Sequence, residues 1–272
     1  VRFHSAARKA GLVVAIAALS LSAGCAKKDE GEVQASGVKL VAAGKLTVCT
    51  HLPYPPFQSK DAGGKVVGFD VDLLDLVAKE LGVEQTIVDT PFEGIKSGQD
   101  LNTGKCDAAA AGMTITEERK KVMDFSDPYF DATQAMLVKA GKPYKSFDDL
   151  RGKKLGVQAA TTGRDYARKF EKEKGLQLVE FEDLAALQQA VASGQVEAGI
   201  NDLPVWTEYL KENPGGFVVA AEFDTGEQYG FSVKKDGNPE LLKKINDVLA
   251  KAKQDGTYDT IYEKWIGKRP AA

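Results

Sequence analysis

Histidine is nearly absent from this chain of 272 residues: only His4 and His51 occur, and there are only three cysteines. Cys25, Cys49 and Cys106 are too few and too far apart for the paired ligands of a zinc site, so neither metal nor other cofactor is expected. Charge of one sign is lacking as well. A formal net charge of −3 argues against a nucleic-acid surface. Long apolar runs are missing too: the best candidate, Ala10 to Leu21, is too short for a comfortable membrane span. With 43% apolar residues there is still ample material for two domains of ordinary size. No internal repeat is visible.

The N-terminus carries processing information. Arg2, His4, Arg8 and Lys9 precede the apolar run, as in a secretory signal peptide. The sequence Leu21-Ser-Ala-Gly-Cys25 then resembles a bacterial lipobox, although Ser22 stands where leucine is commonest. Residues 1–25 are expected to be a lipoprotein signal peptide with Cys25 as the acylated residue. The polar stretch that follows, 26–44, reads as a flexible tether.

Downstream, short apolar runs alternate with amphipathic segments. Strands are predicted at Leu46–Thr50, Thr86–Asp89 and Asp107–Ala111, with helices at Phe69–Leu81 and Gly94–Thr103. The first helix places Leu74, Val77, Ala78 and Leu81 on one stripe. A second series follows through Phe147–Leu150, Lys154–Val157, Asp165–Lys174, Leu176–Phe181, Ala185–Ser193 and Ala198–Ile200. A strand at Gln228–Val233 leads back, and Asn238-Pro239 caps a helix over Glu240–Lys253. This alternation implies parallel sheets covered by helices. The segments Tyr129–Thr133 and Gly226–Tyr229 read as crossings between two α/β lobes. Lobe 1 is expected over 45–130 and 229–272, and lobe 2 over 131–228. Ligands of such sheets bind beyond the carboxyl ends of the strands.

One run combines the chemistry of a binding site. Between Cys106 and Arg119 a short apolar strand opens at Gly112, which permits close approach of a small molecule to the main chain. Thr114 offers a hydroxyl, Thr116 can cap a helix bearing Glu117 and Glu118, and Arg119 offers a planar fork matched to a carboxylate. The run reads equally well as a βα turn whose arginine pairs with a nearby aspartate.

The segment Gly68-Phe-Asp-Val-Asp-Leu-Leu-Asp-Leu-Val-Ala-Lys-Glu-Leu81 closely resembles the pattern of the family 3 extracellular solute-binding proteins, the amino-acid receptors of ABC importers. The resemblance continues in family order through Tyr54-Pro-Pro-Phe57, Phe92-Glu-Gly-Ile95, Thr114 to Arg119, Asp124-Phe-Ser-Asp-Pro-Tyr129, Leu155-Gly-Val157, Thr161-Thr-Gly163, Asn201-Asp-Leu-Pro204 and Gly256 to Trp265. It implies a two-lobed periplasmic-binding-protein-like α/β fold, with a cleft between lobes that closes on a free amino acid. It also implies an exported, lipid-anchored monomer with ABC permease subunits as partners and no nucleic acid.

The same resemblance assigns roles. Arg119 would hold the α-carboxylate, aided by backbone N–H groups at Thr161 and Thr162 ahead of a helix. Asp202 would hold the α-ammonium with Gly112 and Thr114, while Tyr54 and Phe92 would surround the ligand side chain. His51 departs from the aspartate many relatives carry at the ligand's distal end, and Gln158 there is neutral. The expected ligand is therefore a neutral polar amino acid such as glutamine, with an acidic one second. A secreted dehydratase on the same fold is the alternative; His51 is its only candidate base, and no second acid or base is evident. Cys49 and Cys106 each fall in an apparent strand, and free thiols are slightly favoured over a disulfide.

Overall fold

The computed structural model describes residues 37–268. The expected signal peptide, Cys25 and the first part of the expected tether lie outside the described residues. The rest of that tether is packed. Val38 and Leu40 are buried in the main core, and the Val41 N–H donates to Asp107 Oδ1, 66 residues away, at 2.6 Å. Two apolar side chains and one long-range backbone bond fix a stretch that composition alone reads as loose.

The first half of the chain forms β1 (Lys45–Thr50), the short ribbon β2 (Ser59–Lys60) and β3 (Val66–Val67), α1 (Phe69–Leu81), β4 (Glu84–Asp89), α2 (Phe92–Lys96), α3 (Gln99–Asn102), β5 (Ala108–Ala109) and β6 (Met123–Phe125). Next come β7 (Phe130–Lys139), β8 (Lys154–Gln158), α4 (Thr162–Lys174), β9 (Gln177–Phe181), α5 (Leu184–Ser193), β10 (Ala198–Asp202) and α6 (Leu203–Glu212). The chain finishes with β11 (Phe217–Tyr229), β12 (Ser232–Lys234), α7 (Pro239–Asp255) and α8 (Thr257–Trp265).

Two five-stranded sheets result, ordered β4-β1-β5-β12-β6 and β11-β7-β10-β8-β9. As the alternating pattern implies, β4-β1-β5 and β10-β8-β9 are parallel. Both sheets are nevertheless mixed. Strand β12 runs against β5 and β6, and β7 runs against β10 and β11. These are the strands on either side of the crossings, where the chain changes sheet and direction. The crossings lie together: Tyr229 pairs with Phe130, Gln228 with Asp131 and Glu227 with Ala132.

Several local expectations change in the fold. The helix expected over Gly94–Thr103 is two short helices, broken at Ser97-Gly98, where Gly98 adopts a left-handed conformation. Phe147–Leu150, the first segment of the second series, is a tight 3₁₀ turn at Asp148–Leu150. Helix α1 buries Leu74, Val77, Ala78 and Leu81 as its periodicity requires. Gly68 precedes it because a Cβ there would lie 2.0 Å from the Phe57 carbonyl oxygen. Asn238 Oδ1 accepts the Leu241 N–H at 3.2 Å and so caps α7. Among the described residues no helix is long and apolar enough to cross a membrane.

Cys49 and Cys106 form a disulfide, with Cα atoms 5.6 Å apart, which corrects the expectation of free thiols. Parallel pairing of β1 with β5 and a bond from the Asp107 N–H to the Thr47 carbonyl place the two residues side by side. Their sequence separation of 57 hides this proximity. Closing a loop of that length in the unfolded chain is worth about 4 kcal/mol in the chain-entropy description. Replacing both cysteines by serine should lower unfolding free energy by about 2–4 kcal/mol, and Tm by roughly 2–4 °C per kcal/mol. Equilibrium denaturation of the oxidised protein and the variant checks this; equal midpoints would show the crosslink to be energetically silent.

Candidate functional site

The carboxyl ends of β1, β5, β8 and β10 converge on one cavity. His51 and Tyr54 follow β1, Gly112 and Thr114 follow β5, Gln158 ends β8, Thr161 and Thr162 open α4, and Asp202 ends β10. Arg119 and Phe92 complete the set, so all ten residues singled out in the sequence line this cavity, together with Gln58 and Ala111. The free space between them is about 20 Å³, room for roughly one water.

Arg119 is 4% exposed. Its Nη1 donates to the Thr114 carbonyl at 2.7 Å, and its Nη2 reaches across to the Ala160 carbonyl at 3.2 Å. The guanidinium carbon lies 5.5 Å from the centroid of the Phe92 ring, within cation–π range. Among the described residues no carboxylate lies within 4.0 Å of this guanidinium, so the aspartate pairing of the simple βα-turn reading is not formed. Burial lowers the Arg119 pKa, opposed by the fields of Glu227 and Asp202. A buried cation held only by carbonyl oxygens is costly, and its remaining N–H groups suit an anion. The expected helix at Thr116 is only a 3₁₀ turn over Arg119–Lys121, yet the Thr116 hydroxyl still accepts the Arg119 N–H at 3.2 Å.

Ala160 adopts φ 64°, a left-handed conformation that costs a non-glycine residue roughly 1 kcal/mol or more. That turn aims its carbonyl at Arg119 and leads into α4. The Thr161 hydroxyl caps α4, accepting the Arg164 N–H at 3.2 Å and donating to the Gln158 carbonyl at 2.7 Å. Thr161 thus contributes its main chain to the cavity while its hydroxyl shapes the turn. The first N–H groups of a helix lack intrahelical partners and favour anions.

Asp202 is held from three directions. The Tyr54 hydroxyl donates to its Oδ2 at 2.7 Å, the Tyr229 hydroxyl donates to the same oxygen, and Gln134 Nε2 donates to Oδ1. Burial, then the charge of Glu227, pushes the Asp202 pKa up to about 6. Glu227 sits on the crossing strand β11. Its Oε2 accepts from the Thr114 hydroxyl at 2.7 Å on one side and the Thr162 hydroxyl at 2.8 Å on the other. Both hydroxyls therefore face any ligand as acceptors rather than donors.

Gln58, Gln134, Tyr229 and Glu227 escape a reading by sequence alone. Gln58 directly follows the Tyr54-Pro-Pro-Phe57 block, and Glu227 and Tyr229 lie within the expected crossing Gly226–Tyr229, so position offered a hint but chemistry offered none. Asp70 is another. Fully buried in the first turn of α1, it accepts the Gly112 N–H at 2.9 Å and the Tyr129 hydroxyl at 2.7 Å. Gly112 must be glycine: its φ is 51°, and a Cβ would press on the Tyr54 ring at 3.0 Å.

Residues 46–268 match the bacterial extracellular solute-binding proteins, family 3. The chain belongs to this family. Its two-lobed α/β architecture is similar to that of an ancestral arginine-binding protein bound to glutamine, with TM-score 0.78 and 47% identity over 84% of this chain and 100% of that one. It is 40% identical to the ABC transporter glutamine-binding protein GlnH of Bacillus subtilis over 216 residues, 77% of this chain and 76% of the relative. It is 35% identical to a probable histidine-binding protein of Neisseria gonorrhoeae over 257 residues, 93% of this chain and 94% of the relative.

Burial drives the Asp70 pKa to about 7, against 3.8 for an ordinary aspartate, despite the two hydrogen bonds it accepts. The folded state then binds this proton more tightly than the unfolded chain, so stability falls as pH rises from about 4 to about 7. Asp107 and Asp202, both raised to about 6, act in the same direction up to that pH. Asp70→Asn should flatten the slope between pH 6 and 7 in urea titrations. An unaltered slope would mean that Asp70 stays ionised in the fold.

Proposed function

We propose that this protein is the substrate-binding receptor of an ABC importer, capturing a polar amino acid by cleft closure outside the cytoplasmic membrane. Glutamine is the favoured cargo. A lipid on Cys25 anchors the receptor, which works as a monomer and delivers the amino acid to the permease. The observation that carries this reading is the pairing of a buried arginine, without a carboxylate partner, with the buried carboxylate of Asp202 across one cavity. A free α-amino acid is the small molecule that offers each of them its opposite charge.

Arg119 and the N–H groups at the start of α4 receive the α-carboxylate; Asp202 and the Thr114 hydroxyl receive the α-ammonium. Contacts from two lobes to one ligand favour the closed form, because only that form makes both sets at once. The names of the relatives, which include a glutamine-binding protein and an arginine-binding protein bound to glutamine, support an amino-acid cargo. His51, Gln58 and Gln158, which complete the lining, offer no carboxylate and favour an uncharged side chain.

The test is a thermal-shift screen of the exported protein, stripped of ligand by unfolding and refolding, against the twenty amino acids and their desamino analogues. One amino acid should stabilise by about 2.7 kcal/mol at a hundred times its Kd; silence across the set would sink the receptor reading. Arg119→Ala should weaken that ligand by about 2–5 kcal/mol, the usual effect of truncating one partner of a buried charged pair. Unchanged affinity would remove Arg119 from the site.

An ammonium bound to Asp202 needs the carboxylate ionised, whereas Asp202 alone titrates at about 6. Ligand binding near pH 6 should therefore release protons, and affinity should fall as pH drops below 6. Calorimetry in two buffers of different ionisation enthalpy measures the proton count. A count of zero at pH 6 would contradict the Asp202–ammonium contact.

A further inference from the structure

His51 and Gln58 beyond β1 and Gln158 at the end of β8 line the cavity with unsatisfied polar atoms whose polarity is fixed by their other bonds. His51 Nδ1 lies 3.0 Å from the Thr90 carbonyl oxygen. A carbonyl oxygen only accepts, so Nδ1 carries the hydrogen, and in the tautomer with hydrogen on Nδ1 alone Nε2 presents a lone pair. That Nε2 is buried and has no partner. Gln58 is 1% exposed. Its Nε2 faces the His51 carbonyl oxygen at 3.5 Å, and the opposite amide orientation would set two oxygens against each other. Gln58 Oε1 is therefore the acceptor end, and it too is buried without a partner. Gln158 has the reverse polarity. Its Oε1 accepts from Asn201 Nδ2 at 3.0 Å, which leaves Nε2 as a donor with no partner among the described residues.

Two acceptors beyond β1 and one donor at the end of β8, all lining one cavity, match one functional group. We infer that His51 Nε2, Gln58 Oε1 and Gln158 Nε2 form a subsite for a primary carboxamide, so that the cargo is an amino acid ending in –CO–NH₂. The ligand's two amide hydrogens go to His51 and Gln58, and its amide oxygen accepts from Gln158. This rests on the receptor reading and sharpens it.

A side-chain carboxylate has no hydrogen to give, so glutamate leaves two buried acceptors unpaired and adds repulsion between lone pairs. The acidic amino acids, which the lack of a carboxylate among these three residues alone keeps as a second choice, are thereby rejected. A guanidinium satisfies both acceptors but has no atom that can accept from Gln158, and these three residues offer its charge no carboxylate. Norvaline, with a bare propyl side chain, satisfies none of the three.

Sites built to hydrogen-bond a polar group reject analogues that lack it far more strongly than apolar pockets discriminate by shape. Isothermal titration of the refolded full chain with L-glutamine, L-asparagine, L-glutamate, L-arginine and L-norvaline reads this directly. A carboxamide ligand should bind at least about 100-fold more tightly than glutamate or norvaline and at least about 10-fold more tightly than arginine. Gln58→Met, which keeps bulk and removes the acceptor, should shrink the carboxamide-to-norvaline affinity ratio at least about tenfold. Gln58→Glu keeps an acceptor and adds charge, and should move preference toward arginine. A cooperative unfolding transition verifies that each variant is folded.

Binding of glutamate or arginine as tightly as the carboxamides overturns the subsite and leaves the receptor reading standing. So does a Gln58→Met variant that weakens the carboxamide ligand and norvaline alike. If none of the five binds but another amino acid does, the subsite again falls alone. Failure of every amino acid, in a protein shown to be folded, takes down both.

Discussion

The carboxylate of Asp202 joins three separate parts of this molecule. It sits where β10 ends and α6 begins, and it accepts hydrogen bonds from Tyr54 beyond β1, Tyr229 on a crossing strand and Gln134 on the other crossing strand. One buried negative charge therefore ties the second sheet to the residues beyond β1 and to both crossing strands. The three donors are neutral, so they satisfy the carboxylate's lone pairs without cancelling its charge. Burial and the like charge of Glu227 raise its pKa against the pull of those three hydrogen bonds.

Arg119 is its counterpart. A protein assembled for stability alone would place a carboxylate against a buried guanidinium, because an unpaired buried charge is expensive. Here Thr114 and Ala160 supply carbonyl oxygens instead, and Ala160 takes up a strained backbone conformation to do so. Two buried polar atoms without partners, on His51 and Gln58, also belong to residues lining this cavity. The surrounding frame supplies rigidity. Asp70 pins Gly112, the Cys49–Cys106 disulfide clamps β1 to the approach of β5, and aromatic rings including Phe57, Phe69, Phe130 and Tyr229 interlock beneath the crossings.

Much of the cavity was legible because its residues lie in short local motifs. A strand end followed by Gly112, Thr114 and Arg119, or by Asp202 before Pro204, marks the carboxyl edge of a sheet, and that edge is where such folds bind ligands. The stripe of α1 and the cap at Asn238 were legible for the same reason, since each depends on neighbours within four residues. The disulfide was not, because it depends on which strands pair. Glu227 was not, because its meaning comes from Thr114 and Thr162, which reach it from opposite sides. Strand β11 alternates half-buried and exposed residues only over part of its length and is bulged between Val219 and Ala221 and between Phe223 and Glu227, which blurs its period-two signal.

The sequence by itself determined the family and the alternation of strands and helices, because these rest on residue types at short spacings. Only the tertiary structure decided the polarity of Gln58 and His51. Whether Gln58 offers an oxygen or a nitrogen, and which nitrogen of His51 carries the hydrogen, depends on partners at the His51 and Thr90 carbonyls. Glutamine and histidine each carry both a donor and an acceptor, so a sequence names the groups, and the fold, by occupying one end of each, chooses which end remains.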